Sequence, residues 1–272
     1  MTLADKVVVI TGSTRGIGRA MAEACAAEGA SVVVCSRDEA AVARAREALR
    51  GQGRRVSGIA VDVARPGDLE RLLQHALDAW GRVDVWVNNA GLSSGYYLLD
   101  ELTAADIARV VDVNLFGTLN ACRIVLSYFV RHGGGVLVNV TGKGGRGEAS
   151  PHLTTYAATK AAVTSLTKSL AQEYRRYPIS VHALLPGMVP TDFYRDMDRQ
   201  SSPRLAAEVA GIPYVLRAIG VPASEVGRLV AEIAAQTPGK ETGKLYSAFK
   251  GRRLARGIAM LTWYRLIGKI KG

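Results

Sequence analysis

The chain has 272 residues, 48% of them hydrophobic and 22% charged, which is the composition of a globular protein large enough to bury a sizeable core. Its three widely spaced cysteines and four scattered histidines predict reduced thiols and exclude a disulfide framework and a clustered metal site. Of the net charge of +11, seven units come from basic residues after position 249. Neither a secretory signal nor a membrane-length apolar run is visible, so we expect a cytoplasmic protein.

Apolar strands and helices alternate along the sequence. Short apolar runs predict strands over 6–11, 31–35, 56–63, 83–87, 136–140 and 179–185. Helices are predicted over 16–29, 38–50, 66–79, 103–131 and 154–177, with N-caps at Asp38 and Thr103. Helices of this length between strands indicate βαβ units. We therefore predict an α/β fold with a doubly wound parallel sheet of the Rossmann type, in a single domain over 1–248.

The turn between the first strand and the first helix carries a glycine pattern, TGSTRGIG over 11–18. Gly12 permits a tight turn, Gly16 lets the backbone approach a ligand, and Gly18 allows the helix to pack closely on the strand. The free N–H groups of the helix N-terminus attract a pyrophosphate. The loop is therefore predicted to bind a dinucleotide through Gly12, Ser13, Thr14, Arg15, Gly16, Ile17 and Gly18.

The end of the second strand indicates which dinucleotide is bound. An Asp or Glu at this place would meet a ribose 2′-hydroxyl, whereas here Ser36 and Arg37 follow the strand. Arg15 contributes a second guanidinium from the glycine loop, and two guanidinium groups suit a 2′-phosphate. We predict NADP(H) as the cofactor; the alternative is that Arg15 and Arg37 are ordinary surface cations.

Tyr156 and Lys160 are one helical turn apart, so their side chains leave the same face of the predicted helix. An ammonium group beside a phenol favours the phenolate and lowers the pKa of the tyrosine, as acid–base catalysis near neutral pH requires. The same spacing also occurs on solvated helices without any catalytic function.

The least regular part of the domain is 190–221, which is polar and interrupted by Pro203 and Pro213. Because it follows the carboxyl end of a strand, it is in the position of a substrate lid. The alternative is a surface loop with short helices.

The segment 249–272 is a basic tail without acidic residues. A helix would place Met260, Trp263, Ile267 and Ile270 on one apolar stripe between cations. This composition suits either a helix in an anionic membrane surface or an amphipathic helix docked on its own domain or on a partner subunit. Nucleic-acid binding is disfavoured, because no recognised module is present.

Several motifs in order resemble the short-chain dehydrogenase/reductase family. They are the glycine loop, Asp62, the Asn88-Asn89-Ala90-Gly91 turn, Asn114, Tyr156-x-x-x-Lys160 and the segment 186–191. The resemblance covers about 6–247 and implies a homodimer or homotetramer that interconverts a carbonyl and a secondary alcohol by hydride transfer. The tail further suggests an apolar substrate.

The resemblance also implies roles for the matching residues. Tyr156 would be the general acid or base, Lys160 would hold the nicotinamide ribose and lower the tyrosine pKa, and Asn114 would position a water. Asp62 and Val63 would contact the adenine, and Asn88, Ala90 and Gly91 would line the cofactor cleft and brace the sheet. The segment with Pro186, Gly187, Val189 and Thr191 would pass the nicotinamide.

One departure concerns the serine that the family carries near the end of the fifth strand. Aligned on the strand, its position is Gly142, and counted back from Tyr156 it is Lys143. The hydroxyl of Thr141 is one substitute, Lys143 or Thr155 is another, and a site without the donor is the third. Losing such a donor costs on the order of 100- to 1,000-fold in rate. A non-catalytic or weakly active NADP(H)-binding sensor or scaffold is therefore the alternative to an enzyme.

The loop GKGGRGE over 142–148 contains four glycines and two cations. It is interpreted either as a flexible solvated turn or as a site for an anionic group of the substrate.

Overall fold

The computed structural model describes residues 2–194, 200–249 and 252–270, without the side chains of residues 252–254. Its centre is one parallel sheet of seven strands in the order β3-β2-β1-β4-β5-β6-β7. The strands are β1 Val7–Ile10, β2 Ser31–Ser36, β3 Val56–Ala60, β4 Val85–Asn88, β5 Gly135–Val140, β6 Ile179–Leu185 and β7 Leu245–Ser247. The predicted doubly wound parallel sheet is confirmed.

Helices cover both faces of the sheet. They are α1 Gly16–Ala27, α2 Glu39–Arg50, α3 Pro66–Trp80, α4 Ala104–Val111, α5 Gly117–Arg131, α6 Thr154–Glu173, α7 Ala206–Ile219, α8 Ala223–Ala234 and α9 Arg252–Leu266. Alternate residues of each central strand face opposite layers, so Val8 joins the core under α1, α2 and α8, while Val9 joins the core under α3 and α5. The three cysteines are buried and unbridged.

The helix predicted over 103–131 is interrupted in its middle. Thr103 and Asp106 form the predicted capping box at the start of α4. A five-residue π-helical turn, Asp112–Phe116, then separates α4 from α5. By length and composition the stretch 104–131 is apolar enough to cross a membrane, but 61% of its most apolar window is buried inside the domain. It is therefore a core helix of this fold.

The predicted irregularity of 190–221 is wrong for its second half. Pro203 opens a short 3-10 turn, which leads into the fourteen-residue helix α7. Pro213 lies inside α7 and does not end it, although it removes one backbone donor from the helix. Residues 195–199 of this predicted lid segment lie outside the described part of the chain.

The sheet order reverses between β1 and β4. From β1 the chain moves outward to β2 and β3, and from β4 it moves outward on the other side. In such sheets a crevice opens at the carboxyl ends of the strands where the order reverses. The glycine loop follows β1 and the Asn88–Gly91 turn includes the end of β4, so both lie at this crevice.

Candidate active site

A cleft of about 920 Å³ opens at the carboxyl ends of β1 and β4. Most of the residues predicted for the site line it. These are Gly12, Thr14, Arg15, Gly16, Ile17, Gly18, Ser36, Arg37, Asp62, Val63, Ala90, Gly91, Thr141, Tyr156, Lys160, Pro186, Gly187, Val189 and Thr191. Ser13, Asn88 and Asn114 do not line the cleft and are buried beneath it.

The glycine loop is held against the turn after β4. Gly12 has a φ of +64°, and a Cβ there would lie 3.0 Å from the Ala90 Cα, so glycine is required twice over. The Asn89 amide donates to the carbonyls of Thr11 at 2.8 Å and Gly12 at 3.0 Å. Arg15, at the N-cap of α1, makes no side-chain cap, so the helix N-terminus keeps donors for a pyrophosphate. The loop fits a dinucleotide.

Ser13 is placed differently from the prediction. Its side chain is fully buried, and its hydroxyl donates to the Ile10 carbonyl at 2.6 Å and accepts from the Cys35 N–H at 3.0 Å. Its own N–H donates to the Cys35 carbonyl at 3.0 Å. Ser13 therefore ties β1 to β2 under the loop and has no donor left for a cofactor.

Exposed cations collect where the second strand ends. Arg37 and Arg15 line the cleft, and Arg15 lies 3.7 Å from Asp192 at the opposite rim. Arg44, on the first turns of α2, also lines this end and was not predicted, because nothing in its local sequence marks it. Asp38 accepts from the Ala41 N–H at 3.1 Å, which confirms its predicted role as the N-cap of α2. Its carboxylate is therefore engaged with the helix.

Asn89, and not Asn88, is the asparagine of this turn that lines the cleft. Asn88 is buried beneath the cleft, where its amide donates to Asn139 Oδ1 at 2.9 Å and its oxygen accepts from Trp86 Nε1 at 2.8 Å. Asn89 lines the cleft and holds the glycine loop. Asn88 thus braces β4 against β5, as the resemblance implies, but it does not line the cleft, which corrects its assignment as a cofactor ligand.

Asp62 and Val63 line the cleft after β3. The Asp62 carboxylate accepts from the Ala64 N–H at 3.1 Å, and the backbone N–H of Asp62 donates to the Asp68 carboxylate at 2.8 Å. These bonds fix the turn at the wall where an adenine would lie.

Lys160 and Tyr156 meet deep in the cleft. The Lys160 ammonium lies 5.6 Å from the centre of the Tyr156 ring and donates to the Val140 carbonyl at 2.9 Å. Burial lowers the pKa of Lys160 to about 8. Burial also raises the pKa of Tyr156, and the nearby Tyr194 phenol adds to the increase. The direction is opposite to the lowering by Lys160 that the sequence predicts.

Asn114 lies in the π-helical turn and is fully buried. Its amide oxygen accepts from the Leu92 N–H at 2.9 Å, and its amide nitrogen donates to the Leu92 carbonyl at 2.9 Å and to Thr159 at 3.2 Å. A Cβ on Gly91 would lie 3.3 Å from Asn114 Oδ1 and 3.4 Å from Lys160 Nζ, so both polar atoms border the same small space. These hydrogen bonds explain why a polar asparagine lies inside this helix, where asparagine is otherwise unfavourable.

The structure decides the position of the family's serine. A Cβ added to Gly142 would collide with the Tyr156 hydroxyl, so Gly142, and not Lys143, faces the tyrosine. Lys143 is exposed, and neither it nor the buried Thr155 lines the cleft. This geometry favours the alignment on the strand.

Thr141 points its hydroxyl away from Tyr156. The hydroxyl donates to the Lys160 carbonyl at 3.0 Å and shares a hydrogen bond of 2.9 Å with Thr164. Both partners belong to α6, so Thr141 fastens the end of β5 to that helix. This geometry argues against Thr141 as the donor to a substrate carbonyl.

Backbone N–H groups of the loop over 142–148 bind the carboxylate of the loop's own Glu148. The Glu148 carboxylate accepts from the N–H groups of Gly144 at 2.8 Å and Arg146 at 2.9 Å, and these bonds lower its pKa against the effect of its partial burial. Gly144 packs closely on Ala157 of α6. Four of the seven residues, Lys143, Arg146, Gly147 and Glu148, are exposed, as the solvated-turn alternative expects. Glu148 occupies two N–H groups that an external anion would need, which argues against the anion-site alternative.

An aromatic wall faces Tyr156 across the cleft. Phe193 lies 5.6 Å from the Tyr156 ring, centroid to centroid, and Tyr194 packs edge-on against Phe193 at 5.4 Å. Further along, a bridge joins the segment 190–221 to the loop after β4, since the Tyr96 backbone N–H donates to the Gln200 carbonyl at 3.2 Å and the Tyr96 carbonyl accepts from the Ser202 N–H at 2.9 Å. This wall was not predicted, because only the position of the segment after a strand pointed to the cleft.

The short chain dehydrogenase family model matches residues 6–202. L-fucose dehydrogenase of Oryctolagus cuniculus is 35% identical over 237 residues, which cover 86% of this chain and 80% of that protein. Chlorophyll(ide) b reductase NOL of Arabidopsis thaliana is 36% identical over 191 residues, which cover 68% of this chain and 55% of that longer protein. The chain thus spans just over half of this second relative.

Solved structures give the same picture. A variant of actinorhodin polyketide ketoreductase with NADPH superposes with a TM-score of 0.79 at 30% identity, covering 91% of this chain and 97% of that one. The 3-ketoacyl-(acyl-carrier-protein) reductase of Brucella melitensis, complexed with NADH, gives 0.78 at 28% identity, covering 93% and 100%. Both carry a nicotinamide cofactor, and they differ in which one.

Proposed function

The chain belongs to the short-chain dehydrogenase/reductase family, a family of oxidoreductases, and from this premise we propose an NADP(H)-dependent enzyme that interconverts a carbonyl and a secondary alcohol. The observation that carries the proposal is the convergence of Tyr156, Lys160 and Asn114 at the deep end of a cleft whose other end is the glycine loop. A hydride donor and a proton donor then meet at one place.

The proposed chemistry assigns one task to each residue. Bound NADPH would supply the hydride, which leaves negative charge on the former carbonyl oxygen. The Tyr156 hydroxyl gives that oxygen its proton, and in the oxidative direction the tyrosine accepts the proton back. Lys160, whose ammonium lies 5.6 Å from the centre of the Tyr156 ring, would hold the nicotinamide ribose, and Asn114 holds the turn beside it. Phe193 and Tyr194 keep water away from the reacting atoms.

NADP(H) is the proposed cofactor because of charge. Arg15, Arg37 and Arg44 all line the adenosine end of the cleft, and the strand offers no Asp or Glu for a 2′-hydroxyl. Asp38 is the nearest acid in the sequence, and its carboxylate caps α2. Relatives include complexes with either cofactor, so the arginines carry this part of the proposal.

Replacing Arg37 and Arg44 together by serine is expected to weaken NADPH binding on the order of 100-fold, since each guanidinium makes a charge-assisted contact worth about tenfold. Fluorescence titration measures it. NADH affinity is expected to change little, and Arg71→Ser, which removes an exposed arginine of α3 that pairs with Asp68, is the matched control. Tighter binding of NADH than NADPH by the unmodified chain would refute the assignment.

We propose a homodimer or homotetramer built on α5 and α6. In support, α5 and the turn before it expose Phe116, Leu119 and Val130 at 44%, 42% and 39%. Exposed apolar surface of this kind is typical of an interface between subunits. Leu119→Lys is expected to lower the oligomeric state seen by light scattering, because it buries a charge in the interface. An unmodified chain that is monomeric at micromolar concentration contradicts this part of the proposal.

The remaining assignments follow from the same picture. Residues 1–248 form the catalytic domain, 190–221 act as its lid, and 249–272 are an appendage that allows peripheral contact with a membrane from the cytoplasm. An apolar carbonyl compound is the proposed substrate, since the wall opposite Tyr156 is aromatic. Turnover of NADPH with a panel of apolar and polar ketones tests it, and a preference for polar sugars would overturn it.

A second candidate function is a sensor that binds NADP(H) without turnover. One observation favours it, namely that Gly142 replaces the serine that would steady a substrate oxyanion. The sensor predicts tight NADPH binding with no consumption in the presence of any ketone of the panel.

A further inference from the structure

The C-terminal helix α9 uses one of its faces to dock on α7. Its inward positions are Gly257, Met260, Leu261 and Tyr264, at the spacing of a single helical stripe. A Cβ on Gly257 would lie 2.6 Å from Ile219 Cγ2, and Tyr264 packs edge-on against Tyr214 at 5.4 Å. Of the alternatives left open for the tail, docking on its own domain is therefore present in the structure.

Among the residues that the structure describes, nothing covers the opposite, apolar face of α9. Ile258, Trp263 and Leu266 of α9, and Ile267 directly beyond its end, are exposed at 57%, 58%, 77% and 44%. The stripe predicted from the sequence is thus divided, with Met260 turned inward and Trp263 outward. A helix that only docks on its own domain needs one apolar face, so the second face requires a second apolar environment.

The positive charge of the tail indicates which apolar environment its exposed face meets. The segment 249–272 contains seven basic residues and no acid. Arg256 and Arg265 are exposed beside the apolar face, and Lys269 lies 5.8 Å above the Tyr214 ring. Arginines that flank exposed Trp and Leu are the pattern of a helix lying in an anionic bilayer surface, with rings and aliphatic groups among the acyl chains and guanidinium groups among the phosphates.

A second copy of the chain fits this face poorly. A twofold interface between two α9 helices would bring the arginines of one copy towards those of the other, and no acid in the segment is present to pair with them. Nucleic acid fits poorly as well, because large apolar side chains, among them Leu266 at 77%, are exposed on this face.

The chain directly after α7, the helix on which α9 docks, is hydrogen-bonded to the wall of the cleft. Beyond the end of α7, the Val221 N–H donates to the Met188 carbonyl at 2.7 Å. A Cβ on Gly187 would lie 3.0 Å from Val221 and 3.2 Å from Phe249, where the tail begins. Gly187 and Val189 line the cleft, so the tail, α7 and the cleft wall form one connected unit.

We propose that the outer face of α9, formed by Ile258, Trp263, Leu266 and Ile267 with Arg256 and Arg265, binds an anionic lipid surface and holds the cleft beside it. An apolar substrate then reaches the cleft from the lipid and not from water. This second step rests on the proposed function, whereas the lipid contact stands without it.

Vesicle flotation of the full chain tests the contact. We expect binding to vesicles of phosphatidylcholine with phosphatidylglycerol, weaker binding at high salt, and little binding to phosphatidylcholine alone. Trp263→Ser with Leu266→Ser is expected to weaken the binding at least about tenfold, since two large apolar groups no longer enter the bilayer. Tyr177→Ser is the matched control, because Tyr177 is 44% exposed and lies beyond α6.

Equal binding to both kinds of vesicle, or binding that the double variant retains in full, overturns the proposal. So does a self-association of the chain that the double variant abolishes, since the face then belongs to a second copy. Turnover of a water-soluble ketone without vesicles is expected to be equal in the double variant and the unmodified chain. If neither turns over any ketone while lipid binding follows the expected pattern, the proposed function fails and the lipid contact stands.

Discussion

Tyr156→Phe is expected to lower kcat on the order of 100- to 10,000-fold while the affinity for NADPH stays nearly constant. The substitution removes only the hydroxyl that would protonate the substrate oxygen. The ring that packs 5.6 Å from Phe193 and carries Lys160 above it stays in place. A loss of kcat without a loss of binding therefore reports proton transfer. Steady-state NADPH consumption and a fluorescence titration measure the two quantities separately.

The control for this variant is Tyr174→Phe. Tyr174 ends α6, the same helix that carries Tyr156, and packs against Tyr177 far from the cleft. It is expected to keep full activity. If unmodified chain and Tyr156→Phe consume NADPH at the same low rate with every ketone, the enzyme proposal is refuted and the sensor takes its place.

Local sequence patterns were sufficient for most of the fold. The central strands are runs of valine and isoleucine buried on both faces, so each carries its own signal. β7 escaped prediction because three residues, Leu245–Ser247, contain no periodicity, and its pairing with β6 comes from the tertiary fold. α7 escaped because Pro213 normally ends a helix, whereas packing against α9 supports this one.

The site was predictable as a set of residues and less so as a geometry. The sequence cannot tell which of two neighbours faces a cleft, and so Asn88 was assigned a position that Asn89 occupies. Ser13 and Thr141 show the same limit, since a hydroxyl at the right position turned out to serve the backbone beneath it. Glu148 fills its own loop, and only the folded chain shows that contact.

Gly142 is the point where sequence and structure give different expectations for an engineered change. From the resemblance, Gly142→Ser restores a donor to the substrate oxyanion and raises activity. In the structure the Tyr156 hydroxyl already occupies the space that a side chain at this position needs. The tyrosine is confined by Phe193 on one side and by its own helix on the other, so it has little freedom to withdraw.

We therefore expect Gly142→Ser to lower kcat on the order of 100-fold, because a displacement of about 1 Å at the reacting atoms costs this much. Gly142→Ala is the matched control, since it adds the same Cβ without the hydroxyl and should lose as much. Circular dichroism with thermal unfolding verifies that both variants fold. A serine variant more active than the unmodified chain would show that Tyr156 can move and that the missing donor limits the rate. Equal losses in both variants would mean that the site has replaced the serine by closing Tyr156 over its place.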